Sequence, residues 1–509
     1  MGLAELLFGD EGDGASLLVH VGGVDHSLDE VRARATAIAA ALAGIEPGRP
    51  VGVMLPDGAD LVATLFAVWR AGGAYVPLNP RLATADLAHV LGSVEPAPIV
   101  TTADHADRFP GRPVVVLGPG PDEPALRPGP MGGRRFDPGT ALVQLTSGTT
   151  GRPKPVLLTH DGVLALLDNV IGTLRSTPSG SGSGRPAGSV SPAPPMPNLV
   201  PVSLSLWAGI YQVLFARRVG APVVLMDGFD PVGFARLVER FGIRSTVLPP
   251  AAMAMLTADP RVTTLAPLRY VRSITAPLSP LQARRFHDRF GTAILNGYGQ
   301  TEIGGEIVGW SAADWKVHGV AKLGSVGRPH AGVEVRSDPA TGELQVRTPA
   351  LSAGYADGGD LADRLTPDGW FRTGDVGRVD GDGFVWVEGR LGDMINRGGL
   401  KVSPAEVEEV LRLAPGVADA AVVGVPDDRL GEVPWAFVVP APAGERAAGD
   451  GPPRRAEGLD AATLEARCRE HLAPYKVPVE FRVVDALPRN EVGKVLGKEL
   501  VAAAQAGAR

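Results

Sequence analysis

Ala141-Leu142-Val143-Gln144-Leu145-Thr146-Ser147-Gly148-Thr149-Thr150-Gly151-Arg152-Pro153-Lys154 decides how the rest of the chain is read. Its first five residues read as a buried strand, and a loop rich in glycine and hydroxyls begins where that strand ends. Backbone N–H groups in such a loop turn inward and form a nest for anionic oxygens. Thr146, Ser147, Thr149 and Thr150 add hydroxyl donors, and Lys154 adds a positive charge on a long stem. That is phosphate-handling chemistry. The spacing is not that of a Walker A loop, which separates its glycines by four residues and ends in Gly-Lys-Ser/Thr. Here Gly148 and Gly151 are three apart, and Pro153 precedes the lysine.

Working outward, the flanking sequence alternates strands with helices. Leu28, Val31, Ala35, Ile38, Ala39 and Leu42 recur at intervals of three and four, which predicts an amphipathic helix over 28–43. Ser27 with Glu30 three residues on forms a capping-box pattern at its start. Strand patterns at 51–55 and 74–78 enclose a second apolar helix at 60–70, and the alternation returns at 222–226, 232–240 and 245–248. A helix pattern resumes after the loop near 163–167. Alternation of this kind predicts an α/β fold with parallel-containing sheets, whose ligands lie at the carboxyl ends of strands.

Residues 176–198 are dominated by Ser, Gly and Pro and read as a flexible loop, because they bury too little apolar surface to offset their ordering entropy. From about Gly332 to Gly389 short strands dominate, at 333–335, 343–346 and 384–387, which predicts a β-rich subdomain. After Arg390 come a helix at 404–413, a strand at 420–425 and a helix at 461–471, with a Gly/Pro-rich surface insert near 441–457. About 120 residues is the right size for a separate small α+β domain. The expected division is 1–389 for a large N-terminal domain and 390–509 for a small C-terminal one.

Composition narrows the function classes. With 44% hydrophobic and 21% charged residues, a mainly disordered chain is excluded. A net charge of −7 gives no basic footprint, so nucleic acid is not an expected partner. Cys468 is the single cysteine, which rules out an intramolecular disulfide and a cysteine-based zinc site. No run of about 18 apolar residues predicts a membrane span. The N-terminus lacks the basic and apolar regions of a signal peptide, so a cytoplasmic enzyme is expected.

Six segments carry a further pattern: the glycine-rich loop, Asn296-Gly297-Tyr298-Gly299-Gln300-Thr301-Glu302, Gly324-Ser325-Val326-Gly327-Arg328-Pro329, Arg372-Thr373-Gly374-Asp375, Gly389-Arg390, and Pro488-Arg489-Asn490-Glu491-Val492-Gly493-Lys494. In order and separation they resemble the adenylate-forming superfamily of acyl-CoA synthetases, peptide-synthetase adenylation domains and luciferases. The resemblance covers roughly residues 10–505. It implies that ATP and an acid give an acyl-adenylate and pyrophosphate, with charge stabilised at the α-phosphate and on the leaving group.

The resemblance also implies roles. Thr146, Ser147, Gly148, Thr149, Thr150, Gly151 and Lys154 would cradle the β- and γ-phosphates. Tyr298 would stack on adenine, within a nucleotide-binding stretch that includes Asn296, Gly297 and Gly299, with Thr275 and Ala276 lining the same base. Thr301 would contact the α-phosphate, and Glu302 would hold Mg²⁺, which takes few protein carboxylates. Asp375 would accept hydrogen bonds from the ribose hydroxyls, with Arg390 as a second ribose contact. Lys494, on a small mobile domain, would reach the α-phosphate and the attacking carboxylate oxygen, and Gly392 would be the hinge. Gly398-Gly399-Leu400-Lys401 resembles the face presented for thioester formation.

Two departures stand out. Pro155 follows Lys154 where relatives usually carry glycine, which implies altered loop stiffness with phosphate binding retained. The substrate segment Pro201-Val202-Ser203-Leu204-Ser205-Leu206-Trp207 has no aromatic-His pair and no carboxylate, which argues against an α-amino acid substrate. Ser203, Trp207 and Thr275 are its expected pocket residues. Asn79-Pro80-Arg81-Leu82 resembles acid–CoA ligases, and no carrier domain is expected after the small domain. The expected reaction is therefore ATP- and Mg²⁺-dependent adenylation of an aryl or acyl carboxylate with transfer to CoA. A separate carrier protein as acceptor, nitrite or another oxyanion passed to an amine, and a non-catalytic nucleotide-binding regulator stand as alternatives.

Overall fold

The computed structural model describes residues 2–9, 13–118, 124–130, 133–147, 153–176, 195–274, 276–278, 280–352, 354–355, 361–441, 459–488 and 495–506. They fall into two compact units. The first comprises Met1–Glu334, Val346–Phe371 and Asp382–Val385; the second comprises Val335–Gln345, Arg372–Gly381 and Trp386–Arg509.

Thr140–Ser147, the strand that leads into the glycine-rich loop, belongs to a seven-stranded sheet of the first unit. The order is Ala125–Arg127, Val114–Leu117, Ile99–Thr102, Pro50–Met54, Ala74–Pro77, Thr140–Ser147, Pro153–Thr159. The inner strands run parallel, and each outer strand is antiparallel to its neighbour. Parallel strands are covered on both faces, so alternate side chains enter two apolar layers. Val53, Tyr75, Val100 and Val115 join the core formed with helices Leu28–Ala41 and Ala59–Arg70. Met54, Val76, Ile99 and Val114 pack with Leu87, Val90 and Phe109 in the other layer. Each such fully buried side chain stabilises the fold by roughly 1.5–3 kcal/mol.

The capping box forms as the sequence predicts. Ser27 Oγ accepts the Glu30 N–H at 3.2 Å, and Glu30 Oε2 accepts the Ser27 N–H at 2.8 Å. Trp69, in the last turn of Ala59–Arg70, donates its indole N–H to the Ala141 carbonyl at 2.7 Å. That bond anchors a buried helix to the strand that carries Thr146 and Ser147.

One element differs from the sequence reading. After the loop the chain returns as the antiparallel strand Pro153–Thr159 before helix His160–Ser176 begins. Pro153 and Pro155 mask the strand pattern. They are accommodated because the strand is last in the sheet, where a missing N–H costs no ladder bond on the outer side.

The first unit holds two more sheets. Asn198–Val200, Val223–Leu225, Leu17–Val21 and Val24–Ser27 form a four-stranded sheet. Ser245–Val247, Tyr270–Ser273, Ala293–Gln300, Gly305–Gly309 and Arg328–Pro329 form a five-stranded one, parallel over the first three strands and antiparallel after them. Phe234, Leu248, Met253, Phe286 and Ile294 make the core beneath this sheet.

The second unit is built on two sheets. Glu334–Ser337, Glu343–Arg347, Phe371–Val379 and Val385–Arg390 lie side by side in chain order. Leu400–Val402, Ile395–Arg397, Gly431–Pro440 and Val417–Asp427 form the other, with Glu480–Val483 parallel to Gly431–Pro440. Helices Pro404–Arg412 and Ala461–His471 bury Val407, Leu411, Leu464 and Cys468 against it. Burial pushes the Cys468 thiol up to about 12, as befits an inert core cysteine. The architecture is thus α/β with mixed sheets. Among the described residues no helix is long and apolar enough to cross a membrane. Of the Ser/Gly/Pro-rich stretch read as a loop over 176–198, residues 177–194 lie outside the described residues, while Ser176 ends a helix and Asn198 begins a strand. Residues 442–458, which hold nearly all of the insert near 441–457, also lie outside them.

Candidate active site

In the first unit, Lys154 lies on the returning edge strand, in register with Thr146. Leu157 N–H donates to the Gly354 carbonyl at 3.0 Å, and Val156 bridges Tyr355, so a third segment runs alongside this strand. The Lys154 ammonium consequently sits over the Tyr355 ring, 5.4 Å from its centroid. The same segment reaches Glu302: Ser352 N–H donates to the Glu302 carbonyl at 2.8 Å, and Tyr355 Oη donates to Glu302 Oε1 at 3.2 Å. Arg364 Nη1 lies 3.6 Å from that oxygen. Burial, then the charge of Glu302, raises the Tyr355 phenol above its ordinary range, so it stays a donor. Lysine and carboxylate, far apart in the chain, therefore converge on one phenol. Tyr355 and Arg364 belong to no motif read in the sequence.

Thr301 and Glu302 occupy a short 3₁₀ turn, Thr301–Ile303, closed by Gly304 at φ +86°. Tyr298, on strand Ala293–Gln300, is half-buried and accepts from Gln300 Nε2 at 3.3 Å. The pairing with Gly305–Gly309 shifts register between Tyr298 and Gly299. A Cβ on Gly299 would stand 1.6 Å from the Gly305 carbonyl oxygen, so close approach there demands glycine. Asn296 is buried and spends its amide on the Ser325 carbonyl at 3.3 Å. That bond ties strand Ala293–Gln300 to the segment that carries Ser325. Ala276 is exposed, and Thr275 lies outside the described residues.

Beside this strand lies a charged cluster that sequence reasoning missed. Glu306 Oε1 pairs with Arg272 Nη1 and lies 3.2 Å from His330 Nε2. Burial opposes its ionisation, but the charge of Arg272 and the bond from His330 outweigh it, holding the carboxyl below the usual range.

The segment 201–207, expected to line the substrate pocket, leads into helix Trp207–Arg218. Trp207 packs on Tyr211 with ring centroids 5.8 Å apart, and its Nε1 lies 3.0 Å from where a Gly305 Cβ would be. Trp207 is thus adjacent to the turn of Glu302. Ser203 has a different neighbour: its hydroxyl donates to Asp57 Oδ1 at 3.3 Å, and Leu204 N–H donates to the same oxygen at 2.9 Å. Burial raises the Asp57 carboxyl above its ordinary value, and the charge of Asp227 adds to the rise against these two bonds. The segment itself carries no carboxylate, yet the fold brings one to it. Asp57 follows strand Pro50–Met54, at the carboxyl end where open α/β sheets place their sites.

In the second unit, Asp375 is 4% exposed on strand Phe371–Val379. Arg390 Nε donates to Asp375 Oδ1 at 2.8 Å, so these two expected ribose contacts are neighbours. The turn is fixed around them. Gly374 at φ +74° gives its N–H to Glu343 Oε1 at 2.8 Å, and Thr373 Oγ1 accepts the Asp375 N–H at 3.0 Å. Around Gly392 nothing lies within 4 Å of an added Cβ.

Residues 148–152 and Lys494 lie outside the described residues, as do the side chains of Thr146 and Ser147. The described donors fit a nucleotide with its metal. Among the described residues no three His, Cys, Asp or Glu side chains gather as a metal cage. A lone carboxylate such as Glu302 suits Mg²⁺, which keeps phosphate oxygens and waters as its other ligands.

Comparison with known proteins agrees. The AMP-binding enzyme model matches residues 13–356, and the AMP-binding enzyme C-terminal domain model matches 406–494. A feruloyl-CoA synthase of an Amycolatopsis species is 34% identical, covering 95% of this chain and 94% of its own. A sulfoacetate–CoA ligase of Cupriavidus necator is 31% identical over 89% of this chain and 87% of its own. An ATP-bound MatB of Rhodopseudomonas palustris superposes with a TM-score of 0.78 at 26% identity, over all of both chains. Family models, relatives and geometry meet in one conclusion: this chain belongs to the AMP-binding enzyme family.

Proposed function

We propose that this enzyme is an ATP- and Mg²⁺-dependent acid–CoA ligase acting on an aryl or acyl carboxylate. A carboxylate oxygen attacks the α-phosphorus, the bond to the β-phosphate oxygen breaks, and pyrophosphate leaves. The thiol of CoA then attacks the acyl carbonyl and AMP departs. The convergence of Lys154 and Glu302 on Tyr355 carries the proposal, because it sets a cation and a metal-suited carboxylate at one place. The names of the two relatives support CoA as acceptor over a carrier protein or an amine. Their acids differ greatly, so the acid of this chain is defined only by class.

In this proposal Thr146 to Gly151 and Lys154 hold the β- and γ-phosphates, and Thr301 holds the α-phosphate. Glu302 binds Mg²⁺, which draws charge from the phosphates when present. Tyr298 stacks on adenine; Asn296, Gly297, Gly299, Thr275 and Ala276 shape that surface. Asp375 and Arg390 take the ribose. Lys494 attends the α-phosphate, from a small domain beginning at residue 390 and turning at Gly392. Trp207, Ser203 and Thr275 belong to the acid pocket. A cytoplasmic location is part of the proposal, in keeping with a single buried thiol.

Pyrophosphate release with ATP, measured across carboxylic acids, nitrite and amino acids with and without CoA, tests it. CoA-dependent thioester formation is expected. Turnover only with a carrier protein, or only with nitrite and an arylamine, would replace the acceptor. ATP binding without pyrophosphate release under any condition would overturn the enzymatic reading.

A further inference from the structure

The segment 201–207 makes one turn between strand Asn198–Val200 and helix Trp207–Arg218, and its shape is set by a small polar knot. Asp57 Oδ1 accepts both the Leu204 N–H at 2.9 Å and the Ser203 hydroxyl at 3.3 Å. Ser203 Oγ accepts the Ser205 N–H at 3.2 Å and lies 3.0 Å from Ser205 Oγ. Gln144, on the strand leading to the phosphate loop, brings its Nε2 to 3.5 Å from the Ser205 carbonyl. The helix lies directly on this knot: a Cβ on Gly209 would stand 2.3 Å from the Ser203 carbonyl oxygen. Arg81 and Asp227 are the other charged groups that face Asp57.

A serine hydroxyl has one proton and two acceptor sites. With the Ser203 proton on Asp57, Ser203 Oγ accepts the Ser205 N–H and has its other acceptor site at the Ser205 hydroxyl, 3.0 Å away. Its capacity is filled within the protein. Asp57, by contrast, is held on the rigid scaffold, three residues beyond strand Pro50–Met54 and next to Gly58, the N-cap of helix Ala59–Arg70.

We propose that Asp57 is the positioning residue of the acid pocket: through Leu204 and Ser203 it fixes the 201–207 turn and thereby Trp207, with Ser203 acting as a strut rather than as a substrate contact. This rests on the acid-binding role proposed for that segment. Both bonds end on one oxygen, so an asparagine carbonyl can replace it and an alanine cannot.

Two measurements test this on the full chain. In pyrophosphate-release kinetics, Asp57→Ala raises the acid KM about tenfold while the ATP KM stays within about twofold, and Asp57→Asn stays within about threefold of wild type for both. Ser203→Ala, which spares the Leu204 bond, raises the acid KM less than Asp57→Ala does. In amide hydrogen exchange, Leu204 opens at least about tenfold faster in Asp57→Ala, and Asp57→Asn restores its protection. Equal loss in the alanine and asparagine variants, a parallel rise in the ATP KM, a larger defect in Ser203→Ala, or unchanged Leu204 exchange overturns the proposal. Asp57→Glu, which displaces the acceptor by one methylene, serves where Asp57→Ala does not fold, with the same expected rise in acid KM. If wild type releases no pyrophosphate with any acid, the functional proposal falls, and the exchange measurement still decides whether Asp57 holds the turn.

Discussion

Tyr355 offers the most direct test of how the proposed phosphate site is assembled, because two substitutions separate its hydroxyl from its ring. Tyr355→Phe removes the donor to Glu302 and keeps the ring under Lys154; Tyr355→Leu removes both. The hydroxyl bond is 3.2 Å long, and Arg364 shares the same Glu302 oxygen at 3.6 Å. That is longer than a strong O–H···O⁻ bond, so its worth lies at or just below the low end for charged acceptors, about 1–1.5 kcal/mol. At about 1.4 kcal/mol per tenfold, Tyr355→Phe should slow adenylation roughly five- to tenfold. The ring lies 5.4 Å from the ammonium. A cation–π contact at that range adds about 0.5 kcal/mol, a further factor of about two for Tyr355→Leu. The assay is pyrophosphate–ATP exchange at saturating acid, titrated with Mg²⁺. Both variants should need more Mg²⁺ for half-maximal exchange, with the acid KM unmoved. An unshifted Mg²⁺ requirement in Tyr355→Phe would refute the claim that the phenol orients Glu302. Equal rates in the two variants would refute the hold of the ring on Lys154.

Three further outcomes are expected. Lys494→Ala should cut single-turnover adenylate formation by orders of magnitude while calorimetric ATP affinity persists; unchanged adenylate formation would remove its assigned role. Gly299→Ala must push apart strands Ala293–Gln300 and Gly305–Gly309, since its Cβ would meet the Gly305 oxygen at 1.6 Å. It should cost about 1–3 kcal/mol and weaken nucleotide binding through Tyr298, read by thermal melting and nucleotide titration. Arg272→Met leaves Glu306 buried with His330 alone, which should cost about 3 kcal/mol at neutral pH. Because the folded-state pKa of Glu306 is lowered, its stabilisation is present above the unfolded pKa and is lost as pH falls through the folded one. Chemical denaturation should therefore show the gap between wild type and Arg272→Met full at neutral pH and shrinking in acid; a gap independent of pH would contradict the pairing.

The α/β architecture was legible because its cues are local. Ser27 and Glu30 announce a helix start by spacing, and the structure forms both bonds of the box. Val51, Val53 and Tyr75 announce strands by their run lengths. Strand Pro153–Thr159 was not legible, since two prolines erase its pattern and only its place at the edge of the sheet makes it possible. The motif residues that face the nucleotide in the proposal were legible by resemblance. Glu306, Asp57, Tyr355 and Arg364 were not, because each acts through a partner remote in sequence: Asp57 meets Leu204 across 147 positions. No periodicity or short motif marks such a pair.

That asymmetry has a physical cause. A group that meets a phosphate or a metal must have one of a few chemistries, so its identity narrows its role. A group that positions another needs only an acceptor or a ring at the right place, and many residues qualify. Segment 350–355 makes the case. Its backbone bonds to the strand of Lys154 through Gly354 and to the turn of Glu302 through Ser352, and among its described side chains Tyr355 adds a phenol. The backbone bonds would survive almost any side chain, so the distance between lysine and carboxylate is set by chain path, and Tyr355 only trims their orientation. Asp57 stands in the same relation to the turn at 201–207. Under the proposed acid-binding role of 201–207, changing which acid is bound requires new side chains on that turn, while the scaffold that fixes it can stay unaltered.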